Sequence, residues 1–283
     1  RTGLAIWNNR CNATHRARPG RAIPARTKRL SITVNNPDRF IERPSAVLFD
    51  LDNTLYFYDP AHEAGNLAVV DKATNSLGVD SQEFNEALAR ARNDVKQQLG
   101  PTASSHSRLL CFQRTLEYLG LRSQVLLSLE FEQTYWRNFL SAVELREGTV
   151  SFLDLLARTG IPKVIVTDLT SQIQFRKLIY LDLDQRFEYV VTSEESGADK
   201  PDRAGFDLAI GKLPPQTGSI WMIGDNISSD IEGAKNAIDA TTLVPKSEIG
   251  DNANNPAIDL VFDTFTDLEQ LFNESGWSKP TSD

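Results

Sequence analysis

Residues 47–54 read Val47-Leu48-Phe49-Asp50-Leu51-Asp52-Asn53-Thr54 and join a short apolar run to two carboxylates. The apolar run is continuous rather than alternating, which predicts a strand that is buried on both faces. Asp50 and Asp52 come directly after this strand. They are therefore expected at the carboxyl edge of a sheet, which is where open α/β sheets bind their ligands.

The rest of the chain alternates between strand-like and helix-like segments. Further apolar runs occur at 163–167, 189–192, 220–223, 241–244 and 259–262, and helical patterns occur at 148–159, 171–181, 202–213, 228–238 and 266–273. This alternation predicts an α/β fold with a Rossmann-like parallel sheet and helices on both faces. We assign the core of this fold to residues 45–59 and 143–275, followed by a C-terminal tail at 276–283.

One interval is too long for a single crossover helix. Over a hundred residues separate the first predicted strand from the second. Apolar positions within this interval, among them Leu109, Phe112, Leu116, Phe131 and Tyr135, fall at helical spacing. We therefore predict an all-helical cap, residues 60–142, inserted after the first strand.

Polar groups follow three other predicted strands. Thr167 ends the second strand, Lys200 follows the third, and Asp225 and Asp230 follow the fourth. Because the carboxyl ends of parallel strands meet at one edge of the sheet, these groups are expected to converge. Carboxylate oxygens suit Mg2+, and positive charge neutralises phosphoryl oxygens. The set is therefore typical of phosphoryl transfer.

The polar groups that follow these four strands, taken together and in their order along residues 45–273, resemble the motifs of the haloacid dehalogenase superfamily of phosphatases. The helical insert is similar to the cap of one branch of that superfamily, which includes N-acylneuraminate-9-phosphatase, phosphoglycolate phosphatase and some nucleotidases. The resemblance implies a phosphatase that works through an aspartyl-phosphate intermediate.

The resemblance also implies roles for the four aspartates. Asp50 would be the nucleophile, and Asp52 would protonate the leaving oxygen and then activate water. Mg2+ would be held by Asp50, the backbone carbonyl of Asp52, and Asp225. Asp230 would be a further carboxylate on the metal side.

Three residues are implied in phosphate binding. Thr167 would donate its hydroxyl to the phosphate, and Lys200 would neutralise the nucleophile and the phosphoryl group. Asp168 occupies a position beside the phosphate where related phosphatases often carry an uncharged residue. Its carboxylate would repel a phosphate dianion unless it turns away or bonds to another group of the substrate.

The predicted activity is Mg2+-dependent hydrolysis of a small phosphorylated metabolite, with a sugar or sugar-acid phosphate favoured. A nucleoside monophosphate 5'-nucleotidase and a phosphomutase are the alternatives. A dehalogenase would lack the second carboxylate, because a halide leaving group needs no proton. A catalytically idle binding module of a longer protein is the alternative of a different class, which the presence of both Asp50 and Asp52 disfavours.

Substrate specificity is expected to come from the cap. The candidates there to contact a substrate carboxylate are Arg108, Arg114, His106 and Arg137. Which of them face the catalytic carboxylates depends on how the helices pack, so the sequence does not choose among them.

Charge is unevenly distributed along the 283 residues. The formal net charge of −8 argues against nucleic-acid binding by the whole protein. Residues 1–44 contain ten lysines and arginines against two acids, and we predict a disordered tail there. An arm that binds nucleic acid or a membrane surface is the alternative for this segment.

The chain has two cysteines, Cys11 and Cys111, which is too few for a disulfide framework. A cytoplasmic location is therefore expected. No run approaches the roughly 18 apolar residues that a membrane span needs. The oligomeric state stays open.

Overall fold

The computed structural model describes residues 31–252 and 255–279. Seven strands form one sheet in this part of the chain: β1 Ile32–Val34, β2 Ala46–Phe49, β3 Lys163–Thr167, β4 Tyr189–Thr192, β5 Ile220–Ile223, β6 Thr241–Pro245 and β7 Leu260–Phe262. Their order is β1-β7-β6-β5-β2-β3-β4. Strands β2 to β7 run parallel, and β1 pairs antiparallel with β7. Strand β2, which directly precedes Asp50, therefore lies in the interior of the sheet, between β5 and β3.

The helices fall between the strands and in the long insert. Those of the insert are α1 Tyr58–Leu77, α2 Ser81–Leu99, α3 Arg108–Tyr118 and α4 Val125–Ser141. Those between the strands are α5 Thr149–Arg158, α6 Ser171–Tyr180, α7 Ser193–Ser196, α8 Arg203–Lys212, α9 Gly233–Ile238 and α10 Phe265–Glu274, and a π-helical segment, Ile227–Glu232, precedes α9. The predicted α/β fold with a parallel sheet is confirmed.

Both faces of the sheet are covered by apolar side chains. Because successive residues of a strand point to opposite faces, Ala46 and Leu48 of β2 pack on one side, with Phe206 of α8. Phe49 points to the other side, where its ring centroid lies 6.4 Å from that of Phe152 on α5. The continuous apolar run in β2 therefore reflects burial on both faces, as predicted.

The prediction that residues 1–44 form a disordered tail is wrong for residues 31–44. Strand β1 forms a ladder with the otherwise open edge of β7, and the ring of Phe40 lies 5.3 Å from that of Trp221. The backbone groups of β1 thus form hydrogen bonds with the open edge of β7. The basic composition of residues 1–44 gave no reason to expect a strand in this segment. Residues 1–30 lie outside the described residues.

The predicted C-terminal tail is also partly incorporated into the core. Trp277 packs edge-on against Trp221 and Phe272, with ring centroids 5.9 and 5.5 Å apart. The ring of Trp277 therefore joins the packing of α10 against β5. Residues 280–283 lie outside the described part of the chain.

Helices α1 to α4 pack together through aromatic side chains. The ring of Phe131 on α4 lies 5.8 Å from that of Phe84 and 6.0 Å from that of Phe112. The two segments that join the insert to the core pair with each other, because Tyr56 and Leu145 form an antiparallel bridge. Across the described residues, no helix is long and apolar enough to cross a membrane.

Candidate active site

A cavity of about 300 Å3 lies at the carboxyl edge of the sheet, below the helical insert. Core and insert both contribute to its walls. All seven site residues that the sequence predicted line this cavity: Asp50, Asp52, Thr167, Asp168, Lys200, Asp225 and Asp230.

The backbone beyond β2 fixes the orientation of Asp50. Its amide donates to the carbonyl of Ile223 at 2.9 Å, which extends the pairing of β2 with β5. The Thr54 hydroxyl donates to Oδ2 of Asp50 at 2.9 Å. Asn53 adopts a left-handed backbone conformation with φ of 63° and donates to Oδ2 of Asp225 at 3.1 Å. The turn after the strand therefore connects two of the predicted metal ligands.

Asp50, Asp225 and Asp230 form a cluster of carboxylates. One oxygen from each lies within 4.8 Å of the others. Burial raises the pKa of Asp50 and of Asp225 to about 7 and that of Asp230 to about 6, and repulsion between the carboxylates adds to each rise. With Lys200 as the nearest cation, the ionised cluster carries two negative charges in excess. Its oxygen donors and its charge fit a hard divalent cation such as Mg2+.

Lys200 contacts two of the three carboxylates in this cluster. Its ammonium donates to Asp50 Oδ1 and Asp230 Oδ1, each at 2.6 Å, and to the carbonyl of Val166 at 2.9 Å. These three acceptors use its three protons. The predicted neutralisation of the nucleophile by Lys200 agrees with this geometry, and a contact with a phosphoryl oxygen would require one of the three bonds to be shared.

Asp52 is held by Lys177 of α6. The Lys177 ammonium lies 2.7 Å from Oδ1 and 2.6 Å from Oδ2 of Asp52, and the Tyr56 hydroxyl donates to Oδ1 at 2.5 Å. Lys177 is almost fully buried, and its ammonium lies 5.5 Å from the ring centroids of Trp136 and Phe139 in the insert. The side chain of Asp52 therefore contacts Lys177 rather than the carboxylate cluster.

Gln174 connects the two predicted phosphate-binding residues at the end of β3. Its amide donates to Thr167 Oγ1 at 2.6 Å and to the carbonyl of Asp168 at 2.7 Å. The Asp168 carboxylate accepts from the backbone amide of Lys200 at 2.9 Å, and burial raises its pKa. Asp168 lines the cavity, and its carboxylate holds the loop that carries Lys200. These contacts give no direct support to its predicted role in phosphate binding.

Lys177, Gln174 and Arg146 were not predicted from the sequence. Arg146 donates to the carbonyl of Asn53 at 2.7 Å and to Glu248 at 2.5 Å, so it supports the turn after β2. One signal was available in the sequence. Lys177 and Gln174 fall on the apolar face of α6, where a buried charge or amide needs a partner.

The insert supplies the outer wall of the cavity. Of its four predicted candidates, His106 and Arg108 line the cavity. Arg114 pairs with Glu117 at 3.4 Å and Arg137 is exposed, and neither lines it. His106 Nε2 lies 2.9 Å from the carboxylate of Asp199, which directly precedes Lys200. This contact joins the insert to the core beside the carboxylate cluster.

A comparison with protein families supports the motif assignment. The model of the haloacid dehalogenase-like hydrolases, a family of hydrolases, matches residues 44–237. The match begins just before β2 and ends in α9, so it contains all seven predicted site residues.

Individual relatives are also similar over most of the chain. A ribulose-1,5-bisphosphate 5-phosphatase from Halopiger xanaduensis is 37% identical over 73% of this chain and 87% of its own length. A glyceraldehyde 3-phosphate phosphatase from Methanopyrus kandleri is 28% identical over 73% of this chain and 86% of its own. The crystal structure of a 2-haloacid dehalogenase from Pseudomonas syringae shares the fold, with a TM-score of 0.63 at 20% identity over 82% of this chain and 99% of its own.

Proposed function

Because this chain belongs to the haloacid dehalogenase-like hydrolase family, we propose that it releases phosphate from a small phosphorylated sugar, with Asp50 as nucleophile and Mg2+ as the metal. The family match and the phosphatase relatives confirm the prediction that the chain is a phosphomonoesterase. The finer resemblance to N-acylneuraminate-9-phosphatase stays a prediction.

The observation that carries the proposal is the cluster of three carboxylates, two of which, Asp50 and Asp230, are buried and paired with Lys200. Asp50, Asp225 and Asp230 would hold Mg2+, together with the backbone carbonyl of Asp52 that the family resemblance implies. When bound, Mg2+ supplies positive charge for the phosphoryl oxygens. Thr54 and Lys200 hold the Asp50 carboxylate in place, so that an oxygen of Asp50 attacks phosphorus and forms an aspartyl phosphate.

Asp52 is proposed as the general acid and base. It gives its proton to the leaving oxygen as the bond to phosphorus breaks, and it then takes a proton from the water that attacks the aspartyl phosphate. Lys177 stabilises the carboxylate that remains after the first proton transfer, since its ammonium contacts both oxygens of Asp52. Tyr56 fixes the orientation of the same carboxylate.

The size of the cavity and the named relatives favour a small sugar phosphate. About 300 Å3 is at the lower end of the range for ligand sites, which suits a substrate of a few carbons better than a nucleotide. The two relatives described above are phosphatases of ribulose 1,5-bisphosphate and glyceraldehyde 3-phosphate. The helical insert is proposed to act as a cap that selects among such substrates.

The test is phosphate release with Mg2+ from ribulose 5-phosphate, glyceraldehyde 3-phosphate and a nucleoside monophosphate. We expect release from the two sugar phosphates, little from the nucleotide, and none after chelation of Mg2+. Asp50→Asn should abolish release and the acid-stable phosphoenzyme, because the amide cannot attack phosphorus. The matched control is Asp71→Asn, which alters an exposed carboxylate of α1. Substantial turnover by Asp50→Asn would refute the assignment, and phosphate that moves between substrate positions without release would indicate a phosphomutase.

A further inference from the structure

The wall of the cavity in the insert contains two arginines that lack acidic partners. Arg108 of α3 lines the cavity, and Arg92 lies behind it on α2. Both side chains are half-buried, and within the described ranges neither guanidinium lies within ion-pair distance of a carboxylate. An arginine that is partly removed from water usually has such a partner. Asp59 also lines the cavity, but it is exposed and pairs with neither arginine.

The neighbours of these arginines are neutral hydrogen-bonding groups. Arg108 donates to the Tyr58 hydroxyl at 2.8 Å, and Arg92 lies 3.1 Å from Nε2 of His62. Burial and the two guanidinium groups lower the pKa of His62 to about 3. His62 is therefore a neutral acceptor that orients Arg92, and the positive charge of the two arginines is not balanced by their neighbours.

Arg108 also keeps hydrogen-bonding capacity that its neighbours do not use. Its Nε atom is buried and has no hydrogen-bond partner among the described residues. A buried donor without an acceptor destabilises the protein, so this Nε atom indicates that an acceptor outside the protein belongs at the site. A guanidinium presents its donors in a planar fork that matches the oxygens of a phosphate.

We propose that Arg108, backed by Arg92 and Tyr58, binds a second phosphate of the substrate, so that the enzyme prefers a sugar bisphosphate to the corresponding monophosphate. The inference rests on the proposed function, because the first phosphate must reach Asp50 while the second reaches Arg108 in the same cavity. The separation of the two phosphates along the sugar then determines which of them reaches Asp50 and is removed. Arg108 is a specificity residue in this scheme and takes no part in the bond breaking.

The experiment compares kcat/KM for ribulose 1,5-bisphosphate and ribulose 5-phosphate in the presence of Mg2+. In the wild-type protein we expect the bisphosphate to be preferred by about 10- to 100-fold, the size of one charge-assisted contact. In Arg108→Met the ratio should fall close to one. The matched control is Arg137→Met, which removes an exposed arginine of the same insert that does not line the cavity and should keep the wild-type ratio.

A second variant covers the case in which Arg108→Met does not fold. Arg108→Lys keeps the charge but loses the planar fork, and its ratio should lie between those of the wild type and Arg108→Met. Equal kcat/KM for the two substrates in the wild type would overturn the inference, as would a ratio that Arg108 substitution leaves unchanged. A higher kcat/KM for 2-phosphoglycolate, which has a carboxylate in place of the second phosphate, would also overturn it.

The outcomes that would overturn the second phosphate site can be distinguished from those that would overturn the proposed phosphatase activity. Hydrolysis of the monophosphate and of p-nitrophenyl phosphate at equal or higher efficiency would remove the second phosphate site and leave the phosphatase in place. An absence of Mg2+-dependent phosphate release from all of these substrates would overturn both.

Discussion

Adding one methyl group at Gly224 should damage the carboxylate cluster from within the protein. Gly224 directly follows β5 and directly precedes Asp225. An alanine Cβ at this position would lie 2.4 Å from Cβ and 2.6 Å from Cγ of Asp230. Carbon atoms in contact prefer a separation of about 3.5–4.0 Å, so the two side chains would overlap by about 1 Å. Either Asp230 or the backbone of β5 must move.

Asp230 has little freedom to give way. It is 1% exposed, its Oδ1 accepts from Lys200 at 2.6 Å, and its Oδ2 accepts from the amide of Asn226 at 3.0 Å. Overpacking a buried site costs about 1–3 kcal/mol, and loss of a hydrogen bond to a charged group costs a further 1.5–3 kcal/mol or so. Gly224→Ala should therefore lower the free energy of unfolding by about 2.5–6 kcal/mol and strongly reduce turnover.

The assay combines urea unfolding with Mg2+-dependent hydrolysis of p-nitrophenyl phosphate. The matched control is Gly211→Ala in α8, where the added Cβ meets no atom within 4 Å. Alanine is favoured over glycine in a helix by about 0.5–1 kcal/mol, so this variant should be as stable as the wild type or more so, with unchanged turnover. If Gly224→Ala kept the unfolding midpoint, the turnover and the Mg2+ dependence of the wild type, the close packing of Gly224 on Asp230 would be important neither for stability nor for catalysis.

Three further perturbations test other parts of the structure. Lys177→Met should reduce kcat on ribulose 5-phosphate by about 10- to 100-fold and on p-nitrophenyl phosphate by less, because a good leaving group needs less help from Asp52; equal losses would argue against this role. A chain that begins at Ser31 should match the full chain in urea unfolding, whereas one that begins at Pro44 loses β1 and Phe40 and should be less stable by about 2–4 kcal/mol; equal midpoints would contradict the packing of β1. Replacing residues 60–142 by a Gly/Ser linker should leave some Mg2+-dependent hydrolysis of p-nitrophenyl phosphate but remove the preference among sugar phosphates, and a preference that survived would place specificity in the core loops.

The parallel strands were predictable because a strand buried on both faces leaves a continuous apolar run. The chemistry of the site was predictable for a related reason. Asp50, Thr167 and Asp225 lie within two residues of strand ends, and parallel topology brings those ends to one edge. No knowledge of side-chain packing was needed to place them together.

Strand β1 was missed because its signal is weak and its partner is remote. Ile32–Val34 is three residues long and lies in a basic segment, and it pairs with β7, more than two hundred residues away. An antiparallel edge strand satisfies the backbone of an open sheet edge, and this requirement is visible only once the order of the strands is known. Arg39, in the segment after β1, also forms an ion pair with Asp239, which lies in the turn before β6.

The residues that set specificity are hidden from the sequence for a different physical reason. His62, Arg92 and Arg108 lie on three different helices, and their meeting depends on how α1, α2 and α3 pack. Helical periodicity predicts which face of each helix is apolar, but it leaves the rotation and offset between helices open. Catalytic groups at strand ends are thus fixed by topology, while the groups that choose the substrate are fixed by packing. This difference explains why Arg108 and Arg137 were equivalent candidates in the sequence and differ completely in the structure, and it is why the substrate must be argued from the insert.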